Sequence, residues 1–308
     1  MQTINVPDVP VMAEVRRRGV GGLAGDVVRR FRNADGMSHA RALGYQGMFA
    51  MLSGFIGLIG LASVLGVESF RGTVVEMAKS VAPGPSGQLL QEAARRSSGG
   101  GTAALIGLGA ALISGSLAMA QIERSANRLS GRTQDRPSPQ RFIVALGLAV
   151  SAGVLAALGL LILGGGHAIA TGFGWKGAAS DVWMVLRWIL GIAAAFAGIY
   201  LLFRFAPDRP LGPRGALLAG VVVSLVLWLL LTIALTVWFA VSSSSQTYGP
   251  LVSVIALLLW AGATSVALHL GMALTAELAA ATPAAAASYG VADDGRHSRV
   301  PPVASDQR

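Results

Sequence analysis

Six long apolar stretches run along the chain, at residues 44–66, 101–122, 142–163, 182–203, 215–240 and 251–276, with polar connections between them. A helix rising about 1.5 Å per residue needs roughly 20 apolar residues to cross about 30 Å of hydrocarbon. Each stretch meets that length. Only two contain a strongly polar ionisable side chain, Arg187 in the fourth and His269 in the sixth. The pattern predicts an all-α fold, a polytopic membrane bundle of six transmembrane helices packed as one domain over 44–280. A basic segment, 1–43, precedes it. The tail, 281–308, is rich in Ala, Pro, Ser and Asp and is expected to be disordered.

Two connecting regions have patterns of their own. In 67–100, Phe70, Val74, Met77 and Val81 recur at helical spacing, Pro83-Gly84-Pro85 interrupts, and a second apolar face begins at Leu89. This predicts two short amphipathic helices lying on the outer face of the membrane. From Met12 to Arg41, arginines alternate with Val15, Val27, Val28 and Phe31. Two readings are open there: a helix on an anionic leaflet, or a solvated basic arm that only sets orientation. Within the spans, Gly54, Gly57 and Gly60, then Gly107, Gly109 and Gly115, suit close helix packing, with a hinge or a lined groove as the alternative.

Composition sharpens the membrane reading: 53% hydrophobic, 13% charged and a mean hydropathy of +0.61. With no Cys, disulfides, thiolate metal sites and cysteine nucleophiles are excluded. A net charge of +9 would suggest nucleic acid in a soluble protein, but its distribution says otherwise. Of 24 Lys and Arg, 18 lie in the N-terminal segment, the second and fourth connections and the tail. Five lie in the first and third connections, and Arg187 is the remaining one. Positive charge stays cytoplasmic, so both termini are expected inside, with the first span an uncleaved signal-anchor.

Several segments, in order, carry a family resemblance. They are Ala40 to Tyr45 at the entrance to span one, Glu123 to Arg128 with its Asn127-Arg128 pair, and Arg187-Trp188 followed by Arg204-Phe205-Ala206-Pro207. The last third adds Ala219-Gly220, Trp228, Tyr248-Gly249, Trp260 and Gly271 through Glu277. Over roughly 12–280 the chain resembles the YihY/BrkB family of bacterial inner-membrane proteins. The resemblance implies six spans with both termini cytoplasmic. The family has carried a ribonuclease label, a link to serum resistance, and for some members a connection with export of lipid-type molecules. Two positions depart from the family pattern: Ala50 and Ser53 where span one often has a Ser and then a Pro, and Ala273 where a Glu is usual.

The residues argue against hydrolysis. His39, His167, His269 and His297 lie in different segments, and no HExxH or paired-Asp spacing brings metal ligands together. No ribonuclease activity, cofactor, metal or nucleic-acid partner is therefore expected. Gly172 to Gly177 formally matches GxGxxG but follows no strand, and no P-loop occurs. Candidate lipid contacts are Arg187, about 9 Å into its span, the stripe Arg124, Arg128 and Arg132 beside Asn127, and Tyr248 in a short uncharged turn. Against each stands a plainer role: snorkelling for Arg187, headgroup anchoring for the stripe, a tight turn for Tyr248. His269 and Glu277 form a candidate proton-coupling pair, against a hydrogen-bonded core His. The leading reading is a membrane protein that moves or handles an anionic lipid-like amphiphile, with membrane lipids as partners. The alternative is a non-transporting scaffold that binds an envelope partner through 67–100.

Overall fold

The computed structural model describes residues 11–64, 100–132, 136–164, 174–241 and 250–281, with single positions at 85, 170 and 287. Almost all of these residues are helical. Seven helices follow in order: α1 (Val11–Asn33), α2 (Gly36–Val64), α3 (Gly100–Leu129), α4 (Ser138–Gly164), α5 (Ala178–Phe205), α6 (Arg214–Val241) and α7 (Pro250–Ala280). Five stretches are long and apolar enough to cross a membrane, in α2, α3, α5, α6 and α7. The described apolar part of α4, Pro139–Leu155, is shorter. Tyr248 lies outside the described residues. So does the predicted hairpin of 67–100, apart from positions 85 and 100, and most of the tail.

The spanning helices are neighbours in ring order, α2 to α3 and onward to α7, which packs back against α2. Small residues set the closest crossings. A Cβ on Gly57 would lie 2.7 Å from the Leu108 amide nitrogen, and one on Gly107 would overlap the Gly57 backbone. Gly44 meets Gly262 the same way, at 2.9 Å from its Cα. Between α6 and α7, a Cβ on either Gly220 or Gly271 would overlap the other's carbonyl oxygen and the hydroxyl of Thr275 or Ser224. Helices in lipid gain nothing from hiding oil in oil, so such backbone-to-backbone contact is what holds them. The close-packing expectation holds for Gly57 and Gly107; Gly109 has open space beside it. Trp260 Nε1 donates to Thr232 Oγ1 at 3.1 Å, a second tie between α6 and α7.

The basic N-terminal segment is folded onto the bundle. Leu23, Val27 and Phe31 recur every four residues and are buried, so α1 presents one apolar stripe, which packs chiefly on α7. Gly19 interrupts it with φ 70°, a left-handed conformation that favours glycine, so α1 is two helical pieces joined after Arg18. The solvated-arm reading does not describe 11–33. A two-residue turn leads to α2, with Asp35 at φ 53° and its carbonyl accepting from the amides of Ser38 and His39.

Candidate functional site

The end of α7 where α1 docks is the charged end of the bundle. Every residue from Gly271 to Ala280 is buried there, Glu277 among them at 2% exposure. A carboxylate out of water needs partners, because an unpaired buried charge is very costly. Two arginines of α1 supply them. Arg18 Nη1 donates to Glu277 Oε1 and Arg30 Nε to Glu277 Oε2, each at 2.7 Å. Arg18 also reaches Glu14 on one side of the Gly19 break, at 2.8 Å, and Asp26 on the other, at 3.0 Å. Burial alone would weaken the Arg18 charge, but hydrogen bonds to Glu277 and Asp26 outweigh it and hold its pKa above the usual arginine value. For Glu14 burial pushes upward, and the bonds and charges of Arg17 and Arg18 reverse it, leaving the carboxyl below its ordinary range. Arg30 Nη1 donates to the Leu129 carbonyl at 3.1 Å, tying α1 to α3.

A second set of arginines fastens the turn after α5. Arg136 Nη2 donates to the Pro207 carbonyl at 2.6 Å, and its Nε pairs with Asp208 at 3.1 Å. The Arg136 backbone amide donates to the buried Glu123 at 3.2 Å. Arg132 donates to the carbonyls of Arg209 and Pro210 at 3.1 and 3.2 Å. These cations are occupied with the chain itself. Of the predicted stripe, Arg124 donates to Gln121 Oε1 at 2.7 Å, Arg132 is the staple just described, and Arg128 is exposed. Asn127 is fully buried beside them.

His269 is fully buried, and its Nδ1 lies 2.7 Å from the Ser265 carbonyl one turn earlier, so Nδ1 carries the proton and donates. Its buried Nε2 has no hydrogen-bond partner among the described residues. Eight residues separate it from Glu277 on α7, and no described bond joins them. Arg187 lies far from all of this, half-buried on α5 with its guanidinium 5.7 Å from the Trp188 ring.

An apolar groove of about 440 Å³ opens between α4, α5 and α6, lined by Leu155, Phe196, Ala197, Tyr200, Leu201, Arg214 and Leu218. Arg214 begins α6 at the charged end and is exposed. Neither Arg214 nor Tyr200 has a hydrogen bond or ion pair among the described residues, unlike Arg18, Arg30, Arg132 and Arg136. The groove therefore offers hydrocarbon contact along its length and an uncommitted cation and hydroxyl at its rim. No group of three or more His, Asp or Glu among the described residues is placed to hold a metal.

Comparison with known families matches residues 27–294 to Virulence factor BrkB. The chain belongs to the BrkB family. That is the family the ordered segments in its sequence resemble. No curated protein and no solved structure matches it. The BrkB match and the five long apolar helices make this a multi-pass integral membrane protein.

The sequence reading missed Arg18, Arg30 and Arg214. A signal for the first two existed: Glu14 to Arg18 and Asp26 to Arg30 are i, i+4 acid–base pairs beside the Leu23, Val27, Phe31 stripe. That marks a helix with a committed polar face. Arg214 carried no such mark, because its groove is assembled from three helices.

Proposed function

We propose that this BrkB-family protein binds an anionic, lipid-like amphiphile and moves it in the cell envelope. It crosses the plasma membrane six times, α4 included, with the charged end in the cytoplasm. The observation that carries the reading is the α4–α5–α6 groove: hydrocarbon-lined, at a helix terminus, with Arg214 uncommitted at its rim. An acyl chain laid there leaves lipid rather than water, so the groove contributes packing and the selectivity rests on the charge at the rim. A phosphate at the rim can take paired hydrogen bonds from a planar guanidinium. The excess of basic residues at one end supports its placement inside.

Native mass spectrometry of the purified protein, offered an anionic and a zwitterionic phospholipid with the same acyl chains, tests this. Wild type is expected to retain the anionic lipid selectively, and Arg214→Gln to lose the selectivity. Equal retention of both lipids by wild type would favour the scaffold reading. Orientation is tested with single cysteines, since the chain has none. Thr247→Cys should react with an impermeant thiol reagent on intact cells, and Ser138→Cys only after lysis. On this reading the purified protein leaves RNA intact; degradation abolished by a point mutation in this chain would overturn that.

A further inference from the structure

We infer that α1 is a releasable lid over the charged end of the bundle, held shut by the clamp of Arg18 and Arg30 on Glu277. Three observations carry it, and none depends on what the protein transports.

The first is how narrowly α1 is attached. Its buried side chains are Leu23, Val27 and Phe31, each still 6–9% exposed. Its two polar ties to α7 converge on a single acceptor, one arginine on each oxygen of Glu277. A helix held by one apolar stripe, one doubly gripped carboxylate and the Arg30 bond to the Leu129 carbonyl is loosened most by changing that carboxylate, which also frees Arg30. A helix tied at many independent points would not be.

The second is that joints sit where a lid needs them. The Gly19 break directly follows Arg18, and Arg18 itself bridges it, bonded to Glu14 before the break and Asp26 after it. At the other end, the turn at Ala34 and Asp35 separates α1 from α2. Loss of Arg18 therefore loosens both the dock and the bend.

The third is what the lid covers. At the end where α1 docks, Asn127 in the last turn of α3, Ser130 just after it and Glu277 of α7 are all within 2% of full burial, and Arg30 of α1 reaches Glu277 and the Leu129 carbonyl. Those are side chains suited to water, at helix ends where membrane spans ordinarily emerge into it. Ser130 Oγ on the floor and Arg30 Nη2 on the facing side of α1 both lack a hydrogen-bond partner among the described residues. A polar floor left partly unsatisfied in the closed state gains partners when water enters, which lowers the cost of opening.

The test uses the full chain in lipid nanodiscs and a water-soluble maleimide. Ser130→Cys reports on the floor beneath the lid. Ser224→Cys, buried at the α6–α7 crossing, reports on the integrity of the bundle. Each is placed in the wild-type, Arg18→Gln and Glu277→Gln backgrounds. The lid predicts that labelling at 130 quickens at least tenfold in Glu277→Gln and to a lesser degree in Arg18→Gln, while labelling at 224 stays at its wild-type rate. Unchanged labelling at 130 in both backgrounds would overturn the proposal. So would labelling at 224 that rises with it, since the clamp would then hold the whole bundle rather than a lid.

Discussion

Residues 271–280 of α7 and 178–190 of α5 are both stretches of largely apolar helix, yet their surroundings are opposite. Every residue of the first is buried, whereas all of the second except Ser180, Trp183 and Arg187 are exposed. The difference follows residue size. The α7 segment is built from Gly271, Ala273, Thr275, Ala276, Ala279 and Ala280 among a few larger side chains, so α6 and α1 approach its backbone closely. The α5 segment presents Val182, Val185, Trp188, Ile189 and Leu190, large side chains that suit lipid and keep other helices at a distance. Apolar character alone does not mark a core in such a protein; small residues and committed charges do.

The sharpest way to break that contrast is to remove a charge from each region. Glu277→Ala leaves two arginines facing a buried gap and should cost about 3–5 kcal/mol, the usual penalty for breaking a buried ion pair. Asp181→Ala, exposed on α5, should stay within about 0.5 kcal/mol. Denaturant-induced unfolding in detergent measures both. Equal effects would mean that the clamp on Glu277 adds no more stability than an exposed charge does.

Glycines give a smaller and cleaner test. Gly271→Ala drives a methyl into Ser224 and the Gly220 carbonyl and should destabilise by about 1–3 kcal/mol. Gly109→Ala meets open space and should be neutral, or stabilising by up to about 1 kcal/mol through helix propensity. Thermal unfolding of the pair separates close packing from mere glycine content.

The smallest effect expected is with pH. Glu14 titrates below its ordinary value of 4.5 when docked, so its contribution is fully present above that value and fades as pH falls through the lowered one. Part of it faces Arg17, a largely exposed partner, so the contribution stays below about 1 kcal/mol. The protection factors of the α1 amides, which remove the slower intrinsic exchange at low pH, should fall between pH 6 and pH 4 in wild type and less so in Glu14→Gln. The same fall in both would assign it to other carboxylates.

The helical class and five long apolar helices could be read from the chain, because period and length are properties of sequence. The helices run somewhat beyond the apolar stretches: α2 begins at Gly36 rather than 44, since the basic flank stays helical after the turn at Asp35. The site was less legible. Glu277 and His269 stood out as ionisable groups in or beside an apolar span. The partners of Glu277 did not, because Arg18 and Arg30 lie 259 and 247 residues away along the chain. Arg124 and Arg132 looked like free cations, yet folding gives them to Gln121 and to backbone carbonyls. The groove combines Leu155, Phe196 and Arg214, whose proximity no local pattern encodes.

The central claim is that an anionic amphiphile is moved by way of the groove at Arg214. Its most direct test is translocation of a headgroup-labelled anionic phospholipid across proteoliposomes, followed by quenching of the outer leaflet, for wild type, Arg214→Gln and Arg187→Gln. The account predicts movement by wild type and by Arg187→Gln, and a loss of at least tenfold in Arg214→Gln. A zwitterionic lipid of the same chains should move no faster than in protein-free vesicles. Equal rates for the two lipids, or an Arg214→Gln rate matching wild type, would contradict it.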